Sequence, residues 1–67
     1  MNLEDVVIGK TYELNMAGAP EFNGHLVTVV GKDAPDAGMS WPVEVVFQDK
    51  SVFGGTADVD PSELVEV

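Results

Sequence analysis

The sequence predicts a mostly β domain: five short strands closed into a small barrel, with a single short helical turn before the last strand. Three observations carry this prediction. Apolar and polar residues alternate with the two-residue period of half-buried strands. No window of about 11 residues keeps a helical period. Glycine, proline, asparagine and aspartate interrupt the pattern at short intervals. Strands this short in a chain of 67 residues would leave two open edges if the sheet were flat, and closure would remove them.

Taken in order, Val6-Val7-Ile8 before Gly9 is a lead-in or a short first strand, and residues 1–5 are expected to fray. Lys10 to Met16 alternates, with Tyr12, Leu14 and Met16 on one face and Thr11, Glu13 and Asn15 on the other. Ala17-Gly18-Ala19-Pro20 breaks that strand, and Phe22-Asn23-Gly24 adds a turn. His25 to Val30 is valine-rich, and a branched Cβ stiffens χ1 and packs well on a pleated surface. Both of its faces, Leu26/Thr28/Val30 and Val27/Val29, are apolar, which predicts a central strand.

Gly31 to Ser40, carrying Asp33, Asp36 and Met39, reads as a mobile loop. Trp41 to Gln48 is the strongest strand, with Val43, Val45 and Phe47 inward and Pro42 delaying the ladder to Val43. Asp49-Lys50 is expected to make a tight hairpin to a strand at Ser51-Val52-Phe53, with Gly54-Gly55 as a bulge or corner. Asp60 would cap a helical turn opened by Pro61, and Val65-Glu66-Val67 would close the fold.

Charge narrows the partner class. Twelve acids face three lysines and no arginine, a net charge of −9. Without arginine the chain lacks the fork that binds phosphate or guanine bidentately. Its sign also opposes approach to a phosphate backbone. Nucleic-acid binding is therefore disfavoured. At 45% hydrophobic residues the chain is too apolar for the disordered class. With no cysteine there is no disulfide, thiolate nucleophile or cysteine-held zinc. No apolar run approaches the ~18 residues of a membrane span, and the acidic Met1–Asp5 does not read as a secretory leader. The expectation is a cytoplasmic protein without a membrane partner, one domain over residues 1–67, with about 4,000 Å² of folded surface.

The element order, with Trp41 opening the third strand, Val45 and Phe47 within it, Gly54-Gly55 behind and Pro61-Ser62-Glu63-Leu64-Val65 near the end, resembles the SH3-like small barrels. Peptide-binding SH3 domains hold proline-rich ligands with a tryptophan at the start of the third strand, acids in the preceding loop and tyrosines beside the helical turn. Trp41 and Pro61 match that pattern. Leu64 stands where a tyrosine would follow the turn, and the tyrosine-rich opening strand is reduced to Tyr12, so proline-rich recognition is not implied. KOW and Tudor-like barrels, and small phage or bacterial accessory proteins, are similar more loosely. Such barrels host many functions.

Few residues suggest chemistry. Gly9-Lys10-Thr11 looks like the end of a phosphate-binding loop, but Glu4 occupies the position of its first glycine and Tyr12 opens a strand rather than a helix. His25 is the only histidine and has no triad partner at motif distance. Asp33-Ala34-Pro35-Asp36 and Asp58-Val59-Asp60 fall short of a calcium loop. No catalytic residue, metal site or cofactor is therefore assigned, and the protein is not expected to be an enzyme.

Trp41 has three readings: a cap on a small core, an exposed anchor beside the acidic loop, or a member of a Tudor-like aromatic cage for a methylated cation. The candidate binding residues on the second reading are Trp41, Met39, Tyr12, Phe22, Asp33 and Asp36. The expected function is a non-catalytic protein-binding or adaptor module for a partner that is basic, or for a second copy as a homo-oligomer. The alternatives are an acidic inhibitor or nucleic-acid mimic directed at a basic host protein, and a small structural or assembly subunit of a phage or bacterial complex.

Overall fold

The alternation in the sequence sets which side chains each strand buries. The computed structural model describes residues 1–32 and 41–67, with Phe53 described by its backbone alone. Most of the expected Gly31–Ser40 loop thus lies outside the described residues. The strands are β1 (Thr11–Leu14), β2 (Leu26–Lys32), β3 (Val43–Phe47), β4 (Thr56–Val59) and β5 (Leu64–Glu66). They form one sheet in the order β4-β3-β2-β1-β5, with every neighbouring pair antiparallel. The valine-rich β2 is the middle strand, as its two apolar faces predict.

Tyr12 and Leu14, Val27 and Val29, and Val43, Val45 and Phe47 all point to one face, joined there by Val6, Val59 and Leu64. These residues are buried, and Leu3, Met16, Val52 and Ala57 pack around them. The accessible surface is 4006 Å², matching the size expectation.

The sheet is not closed, which corrects the SH3-like barrel. β4 and β5 are its edges and do not pair with each other. Four residues, Asp60 to Glu63, connect them. With Pro61–Glu63 in a 3-10 turn, that connection reaches only about 13 Å, short of the ~19 Å spanned by four strand spacings. Pro61, within that connection, is buried. Closure needs two edges running side by side with free backbone groups facing. Here β5 has three residues and pairs only with β1.

The expected β strand at Ser51-Val52-Phe53 is also corrected. Val52–Gly55 is a 3-10 turn, and the strand after it is Thr56–Val59, with Val46 opposite Thr56. The hairpin is thus longer than Asp49-Lys50, and the two glycines end its turn. Further 3-10 turns lie at Leu3–Asp5 and Pro20–Phe22, so the helical turn before the last strand is not the single one. The first of these occupies the stretch expected to fray. Lys32 reaches across to this end of the chain, its Nζ donating to the Leu3 and Val6 carbonyls at 3.1 and 2.7 Å. In β2 one extra residue, Val30, intervenes between the Val29–Val45 and Gly31–Glu44 pairs, a bulge that increases local twist.

The turn before β5 is built as the sequence predicts. The Asp60 carboxylate accepts from Ser62 N and Oγ, and Glu63 Oε1 accepts from Asp60 N at 2.8 Å. Hydrogen bonds from the Ser62 hydroxyl, then from its backbone N–H, hold the Asp60 carboxyl below its usual pKa. A carboxylate depressed by folding stabilises the fold above its unfolded pKa and loses that contribution as pH falls through the folded value. Asp60→Ala is expected to cost about 1 kcal/mol near pH 7. The difference from wild type should shrink below about pH 4, as read from urea midpoints across the acid range. A pH-independent difference would show that the ionised cap is not responsible.

Candidate functional site

The three candidate residues that are described, Trp41, Tyr12 and Phe22, do not assemble into one surface. Trp41 precedes β3 and is 62% exposed, so it is not a cap on the core. Tyr12 is fully buried and its hydroxyl accepts from Val7 N at 3.0 Å. Lys10 Nζ lies 5.3 Å from its ring centroid and pairs with Glu66 at 3.2 Å. Tyr12 is therefore a core residue whose polar end ties down the lead-in, not part of a docking surface. Its sequence position was ambiguous because strand parity assigns a face but not which face is covered.

Phe22 is half-buried in the Pro20–Phe22 turn. Backbone bonds from Leu14 N to His25 O and from Gly24 N to Leu14 O place that turn at the start of β2. Trp41 stands at the other end, where Lys32 pairs with Val43. The length of β2 between them is about 20 Å, so Phe22 and Trp41 cannot contact one ligand group. Met39, Asp33 and Asp36 lie outside the described residues.

The remaining chemistry is local. His25 packs edge-on against Phe47, with centroids 6.1 Å apart and planes at 83°. Asp49 accepts from Ser51 Oγ at 2.7 Å and Ser51 N at 3.0 Å, the bonds that hold its pKa below the usual value. Asp58 and Asp60 do different things: Asp58 faces outward opposite Glu44, whereas Asp60 caps the turn. Among the described residues no group of three or more His, Cys, Asp or Glu side chains is placed to hold a metal ion. No helix among them is long and apolar enough to cross a membrane.

Sequence reasoning missed the outer face of the sheet. Leu26, Thr28 and Val46 lie there with Glu13, Glu44, Asp58 and Val65. The signal was available in the parity of β3, because fixing Val43, Val45 and Phe47 inward sends Glu44 and Val46 outward. What was missing was the pairing that brings the other strands' outward residues beside them.

Fold and surface together define a small acidic β domain with an open five-stranded sheet, one exposed tryptophan and a mixed apolar and acidic outer face. Searches against protein-family models, curated proteins and solved structures find no match to this chain.

Proposed function

We propose that this chain is a non-catalytic protein-binding module whose partner presents a basic surface. The observation that carries the reading is Trp41, a large side chain left 62% exposed on a protein of net charge −9. Tryptophan combines a large apolar area with few rotatable bonds and a polar N–H, which is why it recurs at the centre of interfaces. Carboxylates around such an anchor speed encounter with a basic partner and discriminate against acidic ones.

The test is affinity capture from the native host with wild type and Trp41→Ala in parallel, followed by titration of the partner recovered. Loss of about 2 kcal/mol, or roughly 30-fold in Kd, is expected. Thermal stability should stay within about 0.5 kcal/mol of wild type, as for a surface position. Undiminished binding by a folded Trp41→Ala protein would refute the role given to this residue.

A nucleic-acid mimic needs carboxylates in rows, and this reading is less well supported. Among the described residues the ladders set only one acid pair opposite each other, Glu44 and Asp58. The other described acids are distributed over the turns and two of the five strands, β1 and β5.

A further inference from the structure

The outer face of the sheet carries two features that nothing within the described chain balances. The first is apolar. Leu26 and Val65 are 36% and 41% exposed, and each is the cross-strand neighbour of Glu13. Beside them runs a row of β-branched residues, Thr11, Thr28, Val46 and Thr56, one from each of β1 to β4. The Thr11 and Thr28 hydroxyls lie 3.2 Å apart and bond each other, so the row's polar groups are partly engaged already.

The second feature is electrostatic. Glu44 and Asp58 are direct cross-strand partners, both exposed. Same-sign residues placed opposite each other destabilise a sheet. The nearest remedy would be a lysine, yet Lys10 and Lys32 are engaged elsewhere. Lys10 pairs with Glu66, the single ion pair among the described residues, and Lys32 serves the carbonyls of Leu3 and Val6. Lys50 lies in the β3–β4 connection, its stem beside Gly55 and beyond the Val46–Thr56 pair, which is itself two rungs from Glu44 and Asp58. A local conflict with no internal compensation is where a function outside the chain is expected to show.

We infer that this outer face docks a basic amphipathic segment of a partner protein, its aliphatic side chains on Leu26 and Val46 and its lysine or arginine side chains between Glu44, Asp58 and Glu13. The inference rests on the protein-binding reading and gives it a second, separate contact surface. Charge selects the occupant. A second copy docked face to face would set the Glu44–Asp58 pairs and two net charges of −9 against each other. A nucleic acid or an anionic membrane surface meets the same repulsion. Only a cationic segment relieves the conflict while covering the apolar row.

The test uses ¹⁵N-labelled full-length chain titrated with synthetic peptides. The probe is an eight-residue peptide alternating valine and lysine, with a valine–glutamate peptide as the control. Expected are amide shift changes centred on Leu26, Thr28, Glu44, Val46 and Asp58 with the first peptide and none with the second. Binding should weaken about tenfold in the Glu44→Gln/Asp58→Asn double variant and fall with added salt. The double variant, relieved of its repulsion, should also melt above wild type, which reads the conflict independently of any ligand. Changes centred on Trp41 with the sheet face silent would overturn this inference and leave the Trp41 reading standing. Changes spread equally over distant acids such as Glu21 and Asp49, no changes at all, or unaltered binding by the double variant would also overturn it.

Discussion

Phe47→Ala is expected to leave the domain unfolded, or at the edge of unfolding, near about 25 °C. Phe47 closes β3 with its side chain 1% exposed, opposite Val27 in the ladder and against the edge of His25. Truncating a buried phenylalanine removes its transfer free energy and leaves a cavity, together about 3–5 kcal/mol. A chain of 67 residues has only about 3–10 kcal/mol of stability in total, so one such loss consumes most of it. Phe47→Leu keeps much of the volume and should cost below about 1.5 kcal/mol. Urea titration followed by near- and far-UV circular dichroism separates the two. A cooperative transition in Phe47→Ala shifted by less than about 1 kcal/mol would mean that the buried face is not the core described above.

The second large effect concerns backbone strain. Gly54 and Gly55 end the connection into β4 with φ of +69° and +99°, a region that L-residues with a Cβ adopt at a cost of about 1–3 kcal/mol. A Cβ at Gly55 would also meet Lys50 Cδ at 3.3 Å, a contact that a flexible side chain can relieve. Strain, not crowding, therefore dominates, and Gly55→Ala is expected to lower Tm by about 10 °C. Gly18 is the control, since it lacks a positive φ and a Cβ there meets nothing within 4 Å. Gly18→Ala should be neutral or slightly stabilising, through lost unfolded-state entropy. Equal melting temperatures for the two variants would remove strain from the account of this turn. The same glycines explain why β4 begins at Thr56: left-handed backbone cannot continue a ladder, so Val52 and Phe53 fall in the turn rather than in a strand.

Much of the sheet was legible because strand parity is a property of the chain itself. Tyr12 with Leu14, and Val43 with Val45 and Phe47, share faces in any extended backbone, and all are buried. The Asp60 cap, its Ser62 donors and Pro61 at the first helical position were legible because capping is local. Three further matters were not local. The sequence allows Gly54-Gly55 as a bulge or corner behind an early strand, whereas the pair ends a longer turn. β2 offered two apolar faces, and pairing with β1 and β3 chose Val27 and Val29 for the core while Leu26 and Val30 remained exposed. Tyr12 is a binding candidate on sequence alone because an aromatic in an alternating strand serves core and surface equally well, and the fold buries it.

The small acidic β domain, its central valine strand and its inward residues on β1 and β3 were determined by the sequence alone, since alternation, turn chemistry and charge count require no partner strand. Tertiary structure decided whether the sheet closes, where Trp41 stands and which outward residues meet. A four-residue link capped by Asp60 joins β4 to β5, yet the two remain unpaired edges and the sheet stays open. Ladder register, which depends on turn lengths and a bulge far apart in the chain, sets Glu44 against Asp58. Those contacts join residues distant in sequence, and their energies exist only once the whole sheet has formed.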